Sequence, residues 1–138
     1  MDVVTLVGRI LLAAMFLLSG INHLTKLGAM TGYAQFKKVP AAKASVVVSG
    51  ILLVLGGLSV ILGAWADLGA VVLAALSIVM ALKMHAFWGE TDPQAKQMEM
   101  IAFLKNLSMA GGLLFVFATY ATAEEGVKLA FSLTTSVF

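Results

Sequence analysis

The chain contains no cysteine and only two prolines among its 138 residues, and charged residues make up just 12% of it. The lack of cysteine excludes disulfides and Cys-ligated metal centres within this chain. Soluble domains carry roughly 25% charged residues, and a soluble helical bundle needs a polar face on every helix. A net charge of +2 without a Lys/Arg-rich stripe does not indicate nucleic-acid binding. The sequence also contains no P-loop, no GxGxxG fingerprint and no nucleophile elbow.

Hydrophobic residues make up 61% of the chain and are gathered into long runs. From Ala44 to Ala66 there is no ionisable side chain. About 20 helical residues cross the hydrocarbon core of a bilayer, and these runs are too long for membrane strands and lack their alternating pattern. We therefore predict an all-α integral membrane protein, an antiparallel up-down four-helix bundle, with residues 1–138 forming a single transmembrane domain. The predicted spans are residues 3–24, 44–64, 68–88 and 99–120.

The segments between the predicted spans contain turn-forming and polar residues. A tight turn is expected at residues 63–67, so that the second and third spans form a hairpin. Residues 25–43 are expected to form a polar loop, part of which lies on the membrane surface as a short amphipathic piece. Residues 89–93 break the chain before the fourth span, and the tail after Ala123 is too short to span and is expected at the interface.

Basic residues are distributed unequally between the two sides of the predicted bundle. Most of the lysines fall in the first and third loops, on one side: Lys26, Lys37, Lys38, Lys43 and Lys96. The other side carries Lys128, with Arg9 slightly inside the first span. The positive-inside rule therefore places loops 1 and 3 in the cytoplasm and both termini outside. We interpret Arg9 as extending its guanidinium to the headgroups, with contact to an anion or a partner as the alternative.

Small residues recur at spacings that align them on helix faces. Close packing of helices in lipid depends on such residues, because no hydrophobic force acts between helices there. They are interpreted as packing within one chain, with self-association into a homo-oligomer as the alternative. The glycines concerned are Gly50, Gly56, Gly57 and Gly63 in or beside the second span, Gly69 in the third, and Gly111 and Gly112 in the fourth.

Polar and ionisable side chains gather at the cytoplasmic end of the predicted bundle. An ionisable group at the centre of a span costs about 2.5–3.5 kcal/mol, and such groups usually face an interior or a partner. One interpretation is interface anchoring with an internal salt bridge from Glu99 to Lys83 or Lys105. The other is a polar pocket that binds a headgroup, a quinone ring or another amphiphile. The predicted ligand-binding residues are Asn22, His23, Lys83, His85, Glu99, Lys105 and Asn106.

The two histidines, His23 and His85, define what chemistry this end of the chain can support. Their side chains titrate near physiological pH, so they can donate hydrogen bonds to a carbonyl or move protons. Two histidines on one side also permit bis-His haem ligation or a His/His/Glu metal site, but the spacing is diagnostic of neither. The sequence therefore identifies no catalytic residue and no definite cofactor, with quinone preferred to haem.

Four segments of the chain carry a family resemblance: GRILLAAMFLLSGINHL (8–24), LGGLSVILG (55–63), HAFW (85–88) and KNLSMAGGLLF (105–115). Their order and spacing resemble those of the DoxX family of small bacterial membrane proteins. Two positions depart from the family pattern. Leu53 stands where many members carry an acidic residue, and His23 stands at the usual basic position at the end of the first span.

The resemblance implies a four-helix protein of the bacterial inner membrane, with some relatives linked to quinone-coupled sulfur oxidation or oxidative-stress complexes. Our leading hypothesis is an accessory membrane subunit of such a redox complex, not catalytic by itself. A membrane or peripheral partner would hold the redox cofactor, because this chain has no evident cofactor motif. The alternatives are a small-molecule permease or exporter that acts as an oligomer, and a purely structural membrane module.

Overall fold

The computed structural model describes residues 2–122, 133–134 and 137, and no strand occurs among them. The helices are α1 (Asp2–Thr25), α2 (Leu27–Phe36), α3 (Ala42–Leu62), α4 (Ala66–Met84) and α5 (Pro93–Ala121), with a 3-10 turn at Phe87–Gly89. All but α2 are long and apolar enough to cross a membrane, with mean hydropathy from 1.7 to 2.5. The all-α class and the multi-pass membrane character predicted from the sequence are confirmed.

Helix α2 occupies much of the segment predicted as a polar loop, residues 25–43. Only Lys26 separates it from α1, and this residue bonds to both helices. Its backbone N–H donates to the carbonyl of Asn22 at 2.9 Å, and its carbonyl accepts from the N–H of Met30 at 3.0 Å. Its inner face packs on the start of α3, where Ala34, Ala42 and Val46 form a small buried cluster. In place of the predicted polar loop, residues 27–36 thus form a helix that is held on the bundle by its own apolar contacts.

The fourth predicted span begins six residues too late, since α5 starts at Pro93 and not at residue 99. The side chain of Asp92 accepts a hydrogen bond from the backbone N–H of Ala95 at 2.8 Å, which caps the helix. Proline at the first helical position costs no hydrogen bond, because that N–H has no partner within the helix. The pair that the sequence analysis took as a break is thus the signal that starts α5.

Close approaches between helices occur where glycine removes the side chain. A Cβ atom on Gly20 of α1 would lie 2.8 Å from the carbonyl oxygen of Gly50 on α3. A Cβ atom on Gly56 of α3 would lie 2.7 Å from Leu73 of α4. By contrast, nothing lies within 4 Å of the corresponding position on Gly111 of α5. The glycines of α3 therefore serve packing within the chain, and Gly111 does not.

Two charged residues are buried at the end of the bundle opposite α2. Arg9 is 2% exposed and donates to the hydroxyl of Tyr120, in the last turn of α5. The interpretation of Arg9 as reaching for the headgroups is therefore wrong: a phenol oxygen inside the bundle receives its guanidinium. Asp67 is fully buried and accepts from the backbone N–H of Val137 at 2.5 Å. Each buried charge thus has a polar group of the chain as a hydrogen-bond partner, as charges inside membrane proteins usually do.

The described part of the tail contacts the turn between α3 and α4. In that turn Gly63 and Trp65 both have positive φ angles, of 65° and 48°. The backbone N–H of Trp65 donates to the hydroxyl of Thr134 at 2.8 Å, and that of Leu133 donates to the carbonyl of Leu62 at 3.2 Å. The expectation that the tail after Ala123 lies at the interface otherwise falls outside the described residues.

Candidate functional site

A single carboxylate, that of Glu99, joins three elements at the end of the bundle that carries α2, called the α2 end below. Its Oε1 accepts a hydrogen bond from Nζ of Lys37 at 2.7 Å, and its Oε2 accepts from Nδ1 of His85 at 2.7 Å. Lys37 follows the last residue of α2, and His85 follows the last residue of α4. Glu99 therefore ties both helix ends to α5.

This network is largely shielded from the surroundings. The side chains of Lys37, Glu99 and His85 are 13%, 18% and 22% exposed. Nζ of Lys37 also lies 3.7 Å from Oε1 of Glu90 and 5.8 Å from the centre of the Tyr33 ring. Charge-assisted hydrogen bonds are stronger than neutral ones, and more so where water is excluded. The three side chains thus form a fixed unit.

The environment of Lys37 alters its pKa. Burial disfavours the charged ammonium and acts to lower the pKa, but the hydrogen bond to Glu99 and the nearby charges outweigh it. The net effect raises the pKa of Lys37 above its ordinary value of 10.5. For the neighbouring Tyr33 phenol, burial disfavours the charged phenolate and so raises its pKa. Around neutral pH, Lys37 is an ammonium and Tyr33 is uncharged.

The raised pKa of Lys37 predicts how stability depends on pH. A group whose pKa is higher in the folded state stabilises fully below its unfolded pKa and loses that contribution as pH rises through the folded value. The difference in melting temperature between the wild type and Lys37→Met should therefore stay constant from pH 7 to about 10 and shrink above about 10.5. Thermal unfolding in detergent at stepped pH measures it. A difference that grew with pH above 10 would contradict the assignment.

Beside the network lies a cavity of about 730 Å³, within the range of small-molecule sites. All five helices contribute to its mainly apolar wall. Val48 of α3 and Val79 of α4 both line it and are each 55% exposed. The cavity therefore opens at the surface between α3 and α4, inside two membrane-spanning segments. Such an opening admits a molecule from the lipid side.

The structure brings only part of the predicted site together at this cavity. His23, Lys83, His85 and Asn106 line it, and so does Ser19. Glu99 is not part of the wall but holds His85 in place from behind.

Asn22 and Lys105 do not line the cavity, and Lys105 is exposed. Glu99 was expected to pair with Lys83 or Lys105, yet within the described residues its cation is Lys37.

Lys37, Glu90 and Tyr33 belong to the site but were not predicted from the sequence. Lys37 and Tyr33 were missed because residues 25–43 were taken as a loop, and a loop gives no basis for placing a lysine against α5. The signal that could have found these two is their four-residue separation, which puts both on one face of a helix.

Metal binding at this site has no support from the arrangement of ligands. In the part of the chain that the structure describes, no group of three or more His, Cys, Asp or Glu residues could hold a metal ion. His23 is separate from the Glu99 network, because its Nδ1 bonds to the carbonyl oxygen of Ser19 at 2.8 Å. A His/His/Glu site would need that bond and the His85–Glu99 bond to rearrange.

Comparison with protein families identifies the family of this chain. The DoxX family model matches residues 4–86, which cover α1 to α4 and include both histidines of the cavity. The chain belongs to the DoxX family. No match was found among curated proteins or among solved structures. In this DoxX protein, Glu99 and Asn106 lie outside the matched residues, so α5 completes a cavity whose other walls come from the family region.

Proposed function

We propose that this DoxX protein is an accessory subunit of a membrane redox complex that holds a quinone or a similar amphiphile in the cavity at its α2 end. The observation that carries the proposal is a largely apolar cavity, open between α3 and α4, with His85 fixed in its wall by Glu99. Small-molecule sites combine such walls with a few placed polar groups. The redox cofactor belongs to a membrane or peripheral partner.

The proposal places the α2 end in the cytoplasm of a bacterial inner membrane. The proposal is supported by the positive-inside rule, because four exposed lysines lie at this end of the bundle: Lys26, Lys38, Lys43 and Lys96. We further propose that the four spans form an antiparallel up-down bundle. This arrangement is supported by the contact of Arg9, at the start of α1, with Tyr120, at the end of α5, and by the short turn between α3 and α4.

Binding to the cavity can be tested directly with a blocking variant. Ser49 lines the cavity from α3, so Ser49→Phe fills part of it, whereas Ser108→Phe adds the same ring at an exposed position of α5 outside the lining. We expect the wild type and Ser108→Phe, in lipid nanodiscs, to bind decylubiquinone equally. Ser49→Phe should bind at least about tenfold more weakly, since its ring occupies space in the cavity that the ligand needs.

Titration of decylubiquinone with native mass spectrometry gives the bound fraction, and thermal unfolding checks that Ser49→Phe still folds. Equal binding by a folded Ser49→Phe variant would rule out this cavity. The accessory role has its own test: His85→Leu in the native membrane should reduce quinone-linked electron transfer without loss of the protein. Unchanged electron transfer, or gentle purification that yields the chain with no redox partner, would contradict that role.

A further inference from the structure

Several polar groups in the cavity wall use a hydrogen-bond donor on the protein itself. The amide Nδ2 of Asn106 donates to the carbonyl of Ala102 at 2.9 Å. The hydroxyl of Ser45 donates to the carbonyl of Pro40 at 2.8 Å, and that of Ser49 donates to the carbonyl of Val46 at 3.1 Å. A hydroxyl whose proton is engaged retains only lone pairs, whereas the amide of Asn106 retains one N–H donor and the acceptor Oδ1.

The two histidines follow the same rule. Nδ1 of His23 bonds to a backbone carbonyl, which can only accept, so this nitrogen carries the proton. Nδ1 of His85 bonds to Glu99, whose other oxygen is paired with the ammonium of Lys37, so this carboxylate also accepts. In a neutral imidazole the second nitrogen, Nε2, is then an acceptor. Neither Nε2 has a hydrogen-bond partner among the described residues.

Two of the lining groups that retain a donor are exposed at the surface. Tyr33 is 41% exposed, and Lys83 is exposed as well. The hydroxyl of Ser19 is able to donate or accept, and Asn106 keeps one N–H beside its acceptor. Four lining side chains, from α1, from α3 and from the end of α4, present only acceptors: His23, Ser45, Ser49 and His85.

We infer that the cavity selects an amphiphile whose polar end donates hydrogen bonds, such as a quinol, another phenol or an alcohol, over a ligand that only accepts, such as a quinone or an ester. A buried acceptor left unpaired is costly, and a ligand without an O–H group leaves these acceptors unpaired. The inference rests on the proposed function, because it names the chemical class that the same cavity holds. In a quinone-linked complex, the cavity would therefore hold the quinol more tightly than the quinone.

A matched pair of probes separates the two ligand classes. para-Dodecylphenol and its methyl ether share ring and tail and differ in the single O–H group. We expect the purified chain in nanodiscs to bind the phenol about tenfold more tightly than the ether. At least one of His85→Leu and His23→Leu should reduce this preference below about threefold, while Met80→Leu, a volume-conserving change in the same wall, should retain it.

The outcomes separate this inference from the proposal beneath it. Equal binding of phenol and ether, or tighter binding of the ether, overturns donor selection but leaves the cavity as a binding site. A preference that survives in both histidine variants overturns the role of their Nε2 atoms. Failure of the phenol, the ether and decylubiquinone to bind at all removes the binding function itself.

Discussion

Replacing Glu99 with glutamine is expected to lower the free energy of unfolding by about 2–4 kcal/mol. The substitution keeps the shape of the side chain but removes the charge that receives both Lys37 and His85. Glutamine offers one carbonyl oxygen and a donor amide, so one of the two partners faces a donor in place of an acceptor. The ammonium of Lys37 then remains in a site where its side chain is only 13% exposed.

Glu90→Gln is the matched control, because it makes the same chemical change on a carboxylate that is 34% exposed and lies 3.7 Å from Lys37. Surface ion pairs contribute about 0–1 kcal/mol, so this variant should stay within about 0.5 kcal/mol of the wild type. Equilibrium unfolding in mixed micelles with a rising fraction of SDS measures both. A double-mutant cycle with Lys37→Met should give a coupling energy of at least about 1 kcal/mol. A loss for Glu99→Gln as small as that for Glu90→Gln would show that the network does not stabilise the fold.

The second large effect is expected at the contact between α1 and α3. Gly20→Ala should lower the free energy of unfolding by about 2–3 kcal/mol, although alanine is the better helix former. Its Cβ atom would lie 2.8 Å from the carbonyl oxygen of Gly50 and 2.9 Å from the backbone nitrogen of Val54. Backbone atoms cannot rotate out of the way as a side chain can, so α1 and α3 must separate.

Gly111→Ala is the matched control and is not expected to lower the free energy of unfolding measured in mixed micelles. Nothing lies within 4 Å of the added atom, and Gly111 is exposed, so helix propensity alone applies. This variant should be neutral or more stable by up to about 1 kcal/mol. A destabilised or dissociated Gly111→Ala protein would instead place Gly111 at an interface between copies of the chain, which is the self-association alternative. An unaffected Gly20→Ala variant would contradict the close approach of α1 and α3.

The sequence predicted the four spans because their signal is the length and apolar content of each run, which do not depend on contacts between helices. It failed at α2, whose ten residues are too few to form a span and whose apolar side is visible only once α3 is beside it. It also failed at Arg9, because a lone cation near a span end can reach either the headgroups or a polar group inside the bundle. Only the position of Tyr120 decides between these two.

The candidate site was predicted by composition more successfully than by pairing. His23, His85 and Asn106 were selected as costly groups inside spans, and they do line one cavity. Which cation meets Glu99 depends on how α2 is placed on the bundle, and one-dimensional spacing carries no information on that. Lys105 was expected to pair with Glu99 because both were placed at the same end of the bundle, yet six residues along a helix place two side chains on different faces.

Because the cavity opens between Val48 and Val79, on the lipid side, its occupancy depends on the concentration of ligand in the membrane. A molecule that enters from the lipid first partitions into the bilayer, so occupancy follows its mole fraction among the lipids and not its amount in the buffer. Adding empty vesicles at a fixed total dose should therefore weaken apparent binding in proportion to the lipid added. An affinity for this protein has meaning only when the quantity of membrane is stated with it.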